Sequence, residues 1–489
     1  MFDMEKIYQF LVLASVFFYW LLIASVTIRV VLKRRALGVS IAWLMIIYIV
    51  PIAGIILYLL VGELNLGKKR VERFRAMYEP YRCWMTSLDE YKTDHPQHQN
   101  LFSKPIHNLC FMRAGIPALV GDQLSLQSET ATILKSIASN IENASKSVNM
   151  VFYIWQPGGR ADNVAEAACN AAKRGVTVRI MLDSAGSKAF FKSHWPDQMR
   201  KAGVELIEAL AVSPLRMFLR RLDIRQHRKI VIIDNKIGYT GSMNMVDPRF
   251  FKQDSGVGQW VDIMVQAKGP SVPLLNSIFA WDWEVETGLR YLPDLSEYSF
   301  IKQHTHGNYA AQIAPSGPDM PDGIIQQILM LSIHQAKKSI TITTPYLVPS
   351  ESLLDALQTT AQRGVPVNII IPAKNDSIMV DWASKSFFTD LLRTGVNIYR
   401  FHGGFLHTKS VMIDESFCLI GTVNLDMRSL WLNFELTICI DAPDFCKDLI
   451  SLQQTYIAHS TIVVLQEWQN RSVLNRPIEQ FFYMFSPLL

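Results

Sequence analysis

One pattern occurs twice in the chain at the same internal spacing. The first copy is His227-Arg-Lys229, four residues, Asp234, six residues, then Gly241-Ser242-Met-Asn244. The second is His407-Thr-Lys409, four residues, Asp414, six residues, then Gly421-Thr422-Val-Asn424. At ordinary residue frequencies such a six-position pattern arises by chance on the order of 10⁻⁸ per start position. Its recurrence marks a duplication, so the chain must fold into two equivalent halves. The echo extends upstream. Ala144-Ser-Lys-Ser-Val148, Phe152-Tyr153-Ile154 and the run from Ala172 to Ile180 match Ala336-Lys-Lys-Ser-Ile340, Pro345-Tyr346-Leu347 and the run from Ala361 to Ile369. In each half a helical segment stops at a glycine, Gly175 or Gly364, and a β-branched strand follows. Strands alternating with helices of this length imply an α/β sheet in each half.

Each motif copy predicts a hairpin. Ile230 to Ile233 and Val411 to Ile413 are apolar runs that read as buried strands, and Asp234-Asn235 and Asp414-Glu415-Ser416 are turn-prone. Residues i and i+2 share a strand face, so His227 and Lys229 point one way, as do Ser242 and Asn244 on the return strand. His407, Lys409, Thr422 and Asn424 repeat the arrangement. Asp234 and Asp414 lie at an odd offset from the lysine and near the turn, so we expect a supporting role for both. An imidazole can attack phosphorus or move a proton near neutral pH. Ammonium, hydroxyl and amide donors can hold phosphoryl oxygens and offset developing charge. Two such copies facing each other suit a two-step phosphodiester exchange. One histidine attacks, and the other protonates the departing alcohol and deprotonates the incoming one. Which histidine attacks is not set by this reading. The lysines supply the positive charge, so neither a metal nor a cofactor is called for.

The 489-residue chain is 49% hydrophobic and 19% charged, with a mean hydropathy of +0.14. That excludes a disordered chain. The apolar excess is concentrated at the N-terminus, in the runs Ile7–Leu32 and Ser40–Val61. Each is long enough to span about 30 Å of hydrocarbon as a helix. The segment before the first run is not net basic and a second run follows at once, so a cleaved leader fits poorly. Pro51 falls inside the second run, where a kink is expected. The chain therefore reads as a transmembrane hairpin over 1–65, a connector over 66–119, a first half over 120–300 and a second half over 301–489. Lys33, Arg34 and Arg35 lie between the runs, and Lys68, Lys69, Arg70, Arg73 and Arg75 follow them, which favours a cytoplasmic catalytic part. The six cysteines form no CxxC pair and suit a reducing compartment.

The two motif copies, HxKxxxxD followed by GSxN or GTxN, resemble the signature of the phospholipase D superfamily over roughly residues 120 to 475. Pro51, Gly54, Tyr58 and Gly62, together with Gly241-Ser-Met-Asn-Met-Val-Asp-Pro-Arg249, are similar to the long-form bacterial cardiolipin synthases, which carry a two-span anchor. The resemblance implies two α-β-α sandwich domains packed face to face. It also implies condensation of two phosphatidylglycerols to cardiolipin and glycerol at the bacterial cytoplasmic membrane. His227 would be the nucleophile and His407 the acid and base, with Lys229, Asp234, Lys409 and Asp414 completing the catalytic motifs. Ser242, Asn244, Thr422 and Asn424 would bind substrate. In that superfamily an acidic residue downstream of each motif orients its histidine. Glu435 fits in the second copy, 28 residues after His407, and Asp262 in the first, 35 residues after His227. The longer first interval holds a Gly-rich polar insertion, Lys252 to Gln259. An ordinary acidic residue on a sheet face is the other reading of Asp262.

Before the first motif, Arg216, Arg220 and Arg221 alternate with Leu215, Met217, Phe218, Leu219 and Leu222. Such a stretch suits either an anionic membrane surface or ordinary packing on the domain. The net charge of +5 agrees with anionic phospholipid as partner. No GxxxxGK[ST] loop and no Asp-rich cluster of the CDP-alcohol type is found, so neither nucleotide chemistry nor CDP-diacylglycerol is expected. A nuclease would share the motif, but two spans argue against nucleic acid as partner. A lipid hydrolase, or a phosphatidyltransferase with another alcohol acceptor, stays open.

Overall fold

The computed structural model describes residues 4–33, 37–63, 66–88, 102–211, 221, 223–292 and 309–486. It divides into two compact units, Met1–Lys68 with Val212–Asp223, and Lys69–Ala211 with Ile224–Leu489.

The first unit is helical. Lys6–Leu32 is long and apolar enough to cross a membrane, with a mean hydropathy of 2.3. The second apolar run does not form one helix. Pro51 cannot donate to the helical ladder, Val50 leaves helical geometry (φ −131°, ψ 74°), and the run divides into Leu37–Ile49 and Pro51–Leu57 with a π turn at Tyr58–Gly62. Ile23, Val26 and Val30 of the long helix pack with Trp43, Ile47, Ile55 and Tyr58. Arg29 donates to both carboxylate oxygens of Glu63, at 2.7 Å each. Leu13, Phe17, Phe18, Trp20 and other large apolar side chains of the long helix face outward, as lipid contact requires. Of the basic-apolar stretch, Arg221 pairs with Asp223 at 2.6 Å; residues 212–220 and Leu222 lie outside the described residues.

The second unit holds β1 (Leu119–Gln127), β2 (Ser147–Phe152), β3 (Thr177–Asp183), β4 (Glu205–Ala209), β5 (Ile230–Ile233), β6 (Ile237–Gly241), β7 (Trp260–Val261) and β8 (Met264–Lys268) in its first half. The second half holds β9 (Tyr309–Ser316), β10 (Ile340–Thr343), β11 (Val367–Pro372), β12 (Asn397–Phe401), β13 (Phe405–Leu406), β14 (Ser410–Ile413), β15 (Phe417–Gly421), β16 (Glu435–Asp441) and β17 (Ser460–Ile462). All but β7 and β13 join one 15-stranded sheet in the order β17-β12-β11-β10-β14-β15-β16-β9-β1-β8-β6-β5-β2-β3-β4. Read outward from the antiparallel β9–β1 pair, the two halves have the same order, with β17 as an addition. The duplication in sequence is thus a pseudo-twofold in space. Helices such as Arg160–Lys173 and Ser271–Thr287 bury apolar faces against the sheet.

The stretch expected to be a bare connector carries two docked helices, Lys68–Thr86 and Lys104–Ala114. Met77, Tyr81, Trp84 and Met85 form a buried stripe at helical spacing, which flanking charges and Pro80 conceal in the sequence. Arg70 pairs with Glu286, and Arg73 donates to the carbonyls of Val285 (2.6 Å) and Glu286 (2.9 Å). Arg73 therefore caps the C-terminal end of Ser271–Thr287, where carbonyls lack intrahelical donors, and Arg70 holds a carboxylate of the same turn.

Candidate active site

The two hairpins form as their sequences require. Ile230 to Ile233 are fully buried between β2 and β6, and Ser410 to Ile413 between β10 and β15. Asp234 and Asn235 turn the chain at φ 52° and 53°, and Asp414 and Glu415 at 51° and 61°. Short polar side chains tolerate this left-handed region better than most. Asp234 then accepts the backbone N–H groups of Ser145, Lys146 and Ser147, and Asp414 those of Lys337, Lys338 and Ser339. Both motif aspartates therefore pin the turn to the start of the neighbouring strand. They do not reach a reacting atom, in line with the odd offset and at variance with a catalytic role.

The motif glycines have a different reason. A Cβ on Gly241 would lie 2.4 Å from the Ile263 carbonyl oxygen, and one on Gly421 would lie 2.2 Å from that of Leu436. The strands that follow Asp262 and Glu435 press directly on these glycines. Ser242 donates to Asp262 (2.6 Å) and accepts the Ile263 N–H (3.0 Å), while Thr422 donates to Glu435 and accepts the Leu436 N–H (2.9 Å). The expected role of these hydroxyls as substrate donors is corrected: they hold the carboxylates. Asn244 accepts the Ile154 N–H at 3.2 Å, leaving its NH₂ as the donor end. The amide oxygen of Asn424 is buried without a partner among the described residues.

The carboxylates cross over. Glu435 meets Nδ1 of His227 at 2.7 Å, and Asp262 meets Nδ1 of His407 at 2.7 Å. The pairing expected within each copy is corrected to one between copies. The backbone explains it. His227 N–H donates to the Phe434 carbonyl (2.9 Å) and Phe434 N–H to Arg225 (3.0 Å). On the other side β7 and β13 pair in parallel, and His407 N–H donates to Val261 (2.9 Å). The strand approaching each histidine lies beside the residues preceding the other half's acid, so each acid arrives at the opposite imidazole. Spacing along the chain cannot reveal this, because the exchange depends on how the halves associate.

All six groups are buried. Burial pulls both imidazoles down to about 4, against the pull of Glu435 on His227 and of Asp262 on His407. Burial also acts to raise the two carboxyls, yet the imidazole beside each and the lysines leave both below the usual range. Burial lowers Lys229 to about 7 and Lys409 to about 8. At neutral pH each imidazole is therefore uncharged, with Nδ1–H given to a carboxylate and Nε2 open for attack or proton transfer. Lys229 donates to the His227 carbonyl oxygen at 2.7 Å, and Lys409 to that of His407. Each imidazole also feels the other copy's ammonium, so the four groups share one site.

Several neighbours escaped the sequence reading. The Tyr153 ring lies 5.0 Å from His227, and the Trp260 ring 4.2 Å from His407. Arg228, fully buried, donates to Asp282, to the Glu435 carbonyl oxygen (3.0 Å) and to Ser316 O (3.2 Å). Its counterpart is Thr408, whose hydroxyl is buried without a partner among the described residues. The sequence marks Arg228 only as a third basic residue between His227 and Lys229, just before the apolar strand Ile230–Ile233, and gives no sign of its burial. Near-motif His402 meets Thr461 at 2.8 Å on an exposed loop.

A family model described as "Cardiolipin synthase, PLD-like domain" matches residues 137–283 and 329–455, and one described as "Phospholipase D-nuclease N-terminal" matches residues 19–63. Proteins named cardiolipin synthase A from Edwardsiella ictaluri and from Yersinia pseudotuberculosis are each 51% identical over 486 residues, covering 99% of this chain and 100% of theirs. A crystal structure of phosphatidylserine synthase from Haemophilus influenzae aligns with a TM-score of 0.55 at 14% identity, covering 79% of this chain and 97% of that one. At that identity the likeness concerns the fold.

Proposed function

Because the chain belongs to the phospholipase D-like cardiolipin synthase family, and is accordingly a phosphatidyltransferase, we propose that it condenses two phosphatidylglycerols into cardiolipin and glycerol. The observation that carries this reading is the crossed pair of carboxylate–imidazole contacts, which builds one site with two poised imidazoles from two halves. In the first step Nε2 of His227 attacks phosphorus. The N–P bond forms, the bond to the glycerol oxygen breaks, and His407, protonated in the loaded site, gives its proton to that oxygen. The substrate's phosphate charge favours this proton on His407. In the second step the hydroxyl of another phosphatidylglycerol loses its proton to His407 and its oxygen attacks phosphorus, releasing His227. Lys229, Lys409 and the amides of Asn244 and Asn424 stabilise the phosphoryl oxygens. One phosphodiester replaces another, so the exchange is near thermoneutral and needs no nucleotide.

We place the chain in the bacterial cytoplasmic membrane as a two-span protein, with the catalytic unit on the cytoplasmic side. The support is the helix Lys6–Leu32, the shorter apolar helices after it, and the basic residues that follow them. Burial of the imidazoles limits water at the phosphohistidine, which favours transfer over hydrolysis. The test is incubation of the purified full chain with phosphatidylglycerol alone, followed by lipid analysis. Cardiolipin with equimolar glycerol supports the reading, and phosphatidic acid as the sole product contradicts it.

A further inference from the structure

The two histidines have unlike surroundings, and the insertion in the first copy makes the difference. Lys252 (φ 48°), the 3₁₀ turn Gln253–Ser255, Gly256 and Gly258 fold the insertion back on itself. It docks on the loop before His407. A Cβ on Gly404 would lie 2.4 Å from the Gln259 carbonyl oxygen, and one on Gly258 would lie 3.1 Å from the Gly404 Cα. The docking closes a ring of neighbours beside His407. The Trp260 ring lies 4.2 Å from that imidazole, and Lys252 Nζ lies 5.3 Å from the Trp260 ring. Lys252 pairs with Asp376 at 2.9 Å, and Tyr346 donates to the other oxygen of Asp376 at 2.9 Å. Tyr346 lies 6.5 Å from the Phe405 ring, which lies 5.9 Å from His407. Trp260 and Lys252 come from the first half, and the other members from the second. Asp376 acts electrostatically on Lys409, so the ring borders the reacting groups. Beside His227, the corresponding tyrosine, Tyr153, stands at the imidazole itself.

We propose that this ring is the acceptor-alcohol subsite, and that its Lys252–Asp376 ion pair selects an uncharged polyol over an amino alcohol. The proposal rests on the reading of the chain as a phosphatidyltransferase with His407 as its acid and base. Aromatic faces suit the C–H surface of a glyceryl unit. The phenol oxygen and the carboxylate, each with lone pairs to spare, suit its second hydroxyl. An ammonium would meet a carboxylate already neutralised, with the Lys252 charge beside it. Discrimination of this kind works by repelling the wrong ligand as well as by holding the right one. A hydroxyl so placed next to His407 gives its proton to that imidazole as its oxygen forms the new bond to phosphorus.

The test is acceptor competition by the full-length protein in mixed micelles, with phosphatidylglycerol as donor and labelled glycerol and ethanolamine supplied together. Label entering phosphatidylglycerol and phosphatidylethanolamine gives one ratio per variant. We expect wild type to favour glycerol, and Lys252→Met to shift the ratio at least tenfold toward ethanolamine. Lys252→Arg should stay near wild type, and Tyr346→Phe should lower the glycerol term with no gain for ethanolamine. A ratio unmoved in Lys252→Met, or moved equally in Lys252→Arg, overturns the proposal. Wild-type protein that exchanges glycerol selectively but makes no cardiolipin defeats the product assignment above and supports this subsite.

Discussion

At the scale of single residues, the crossed carboxylates make the sharpest claim. If Asp262 serves the acid and Glu435 the nucleophile, their substitutions should separate by leaving group. Asp262→Asn should lose about 10²-fold or more on phosphatidylglycerol, and most of that loss should vanish in the first-turnover release of p-nitrophenol from phosphatidyl-p-nitrophenol, whose leaving group needs no proton. Glu435→Gln should be impaired on both. The reverse pattern would restore the pairing within copies. The pH profile follows from the lysines. With Lys229 lowered to about 7 and Lys409 to about 8, each is charged only below those values, so kcat/KM of the free enzyme should fall as pH rises through that window. On the acid side it should fall toward pH 4, where His227 takes up a proton and its Nε2 can no longer attack phosphorus. A kcat/KM that stays flat to pH 9 would exclude the ammonium groups as its source. Arg228 is a matter of stability: Arg228→Met strands Asp282 and Asp319 in the interior, and should cost roughly 3–5 kcal/mol in thermal or denaturant unfolding.

At the scale of elements, each motif position has a separate physical reason. The aspartates tie turns to strand starts, so Asp234→Ala should lower stability by about 2 kcal/mol while activity per folded molecule persists. A variant as stable as wild type but inactive would return Asp234 to the chemistry. The glycines admit the strands bearing the acids, and Gly421→Ala should displace Glu435 and cost both stability and turnover. The hairpins, their register and the side chains sharing a face were legible because a period of two and a turn signal are local facts. The helix Lys68–Thr86 was not, since its buried stripe is preceded by a run of charges that includes Arg73, which caps another helix, and is interrupted by Pro80. The exchange of acids, Lys252 beside Asp376, and the docking of the insertion were illegible for a common reason. Each is made by residues far apart in sequence that meet only when the halves join.

For the molecule as a whole, the duplicated sequence becomes one continuous sheet with a pseudo-twofold at β9–β1; β17 departs from that symmetry at the sheet edge, and two further departures fall at the site, Arg228 against Thr408 and an insertion on one side only. Symmetric halves supply two imidazoles, and in the proposed mechanism the asymmetry divides the labour between them. The most direct test of that division is to trap the covalent intermediate. The full-length protein is mixed with phosphorus-labelled phosphatidylglycerol, quenched within one turnover at alkaline pH, digested and mapped by mass spectrometry. We expect the label as a phosphoramidate on the peptide containing His227. Label on His407, or divided equally between the two histidines, would contradict the assignment.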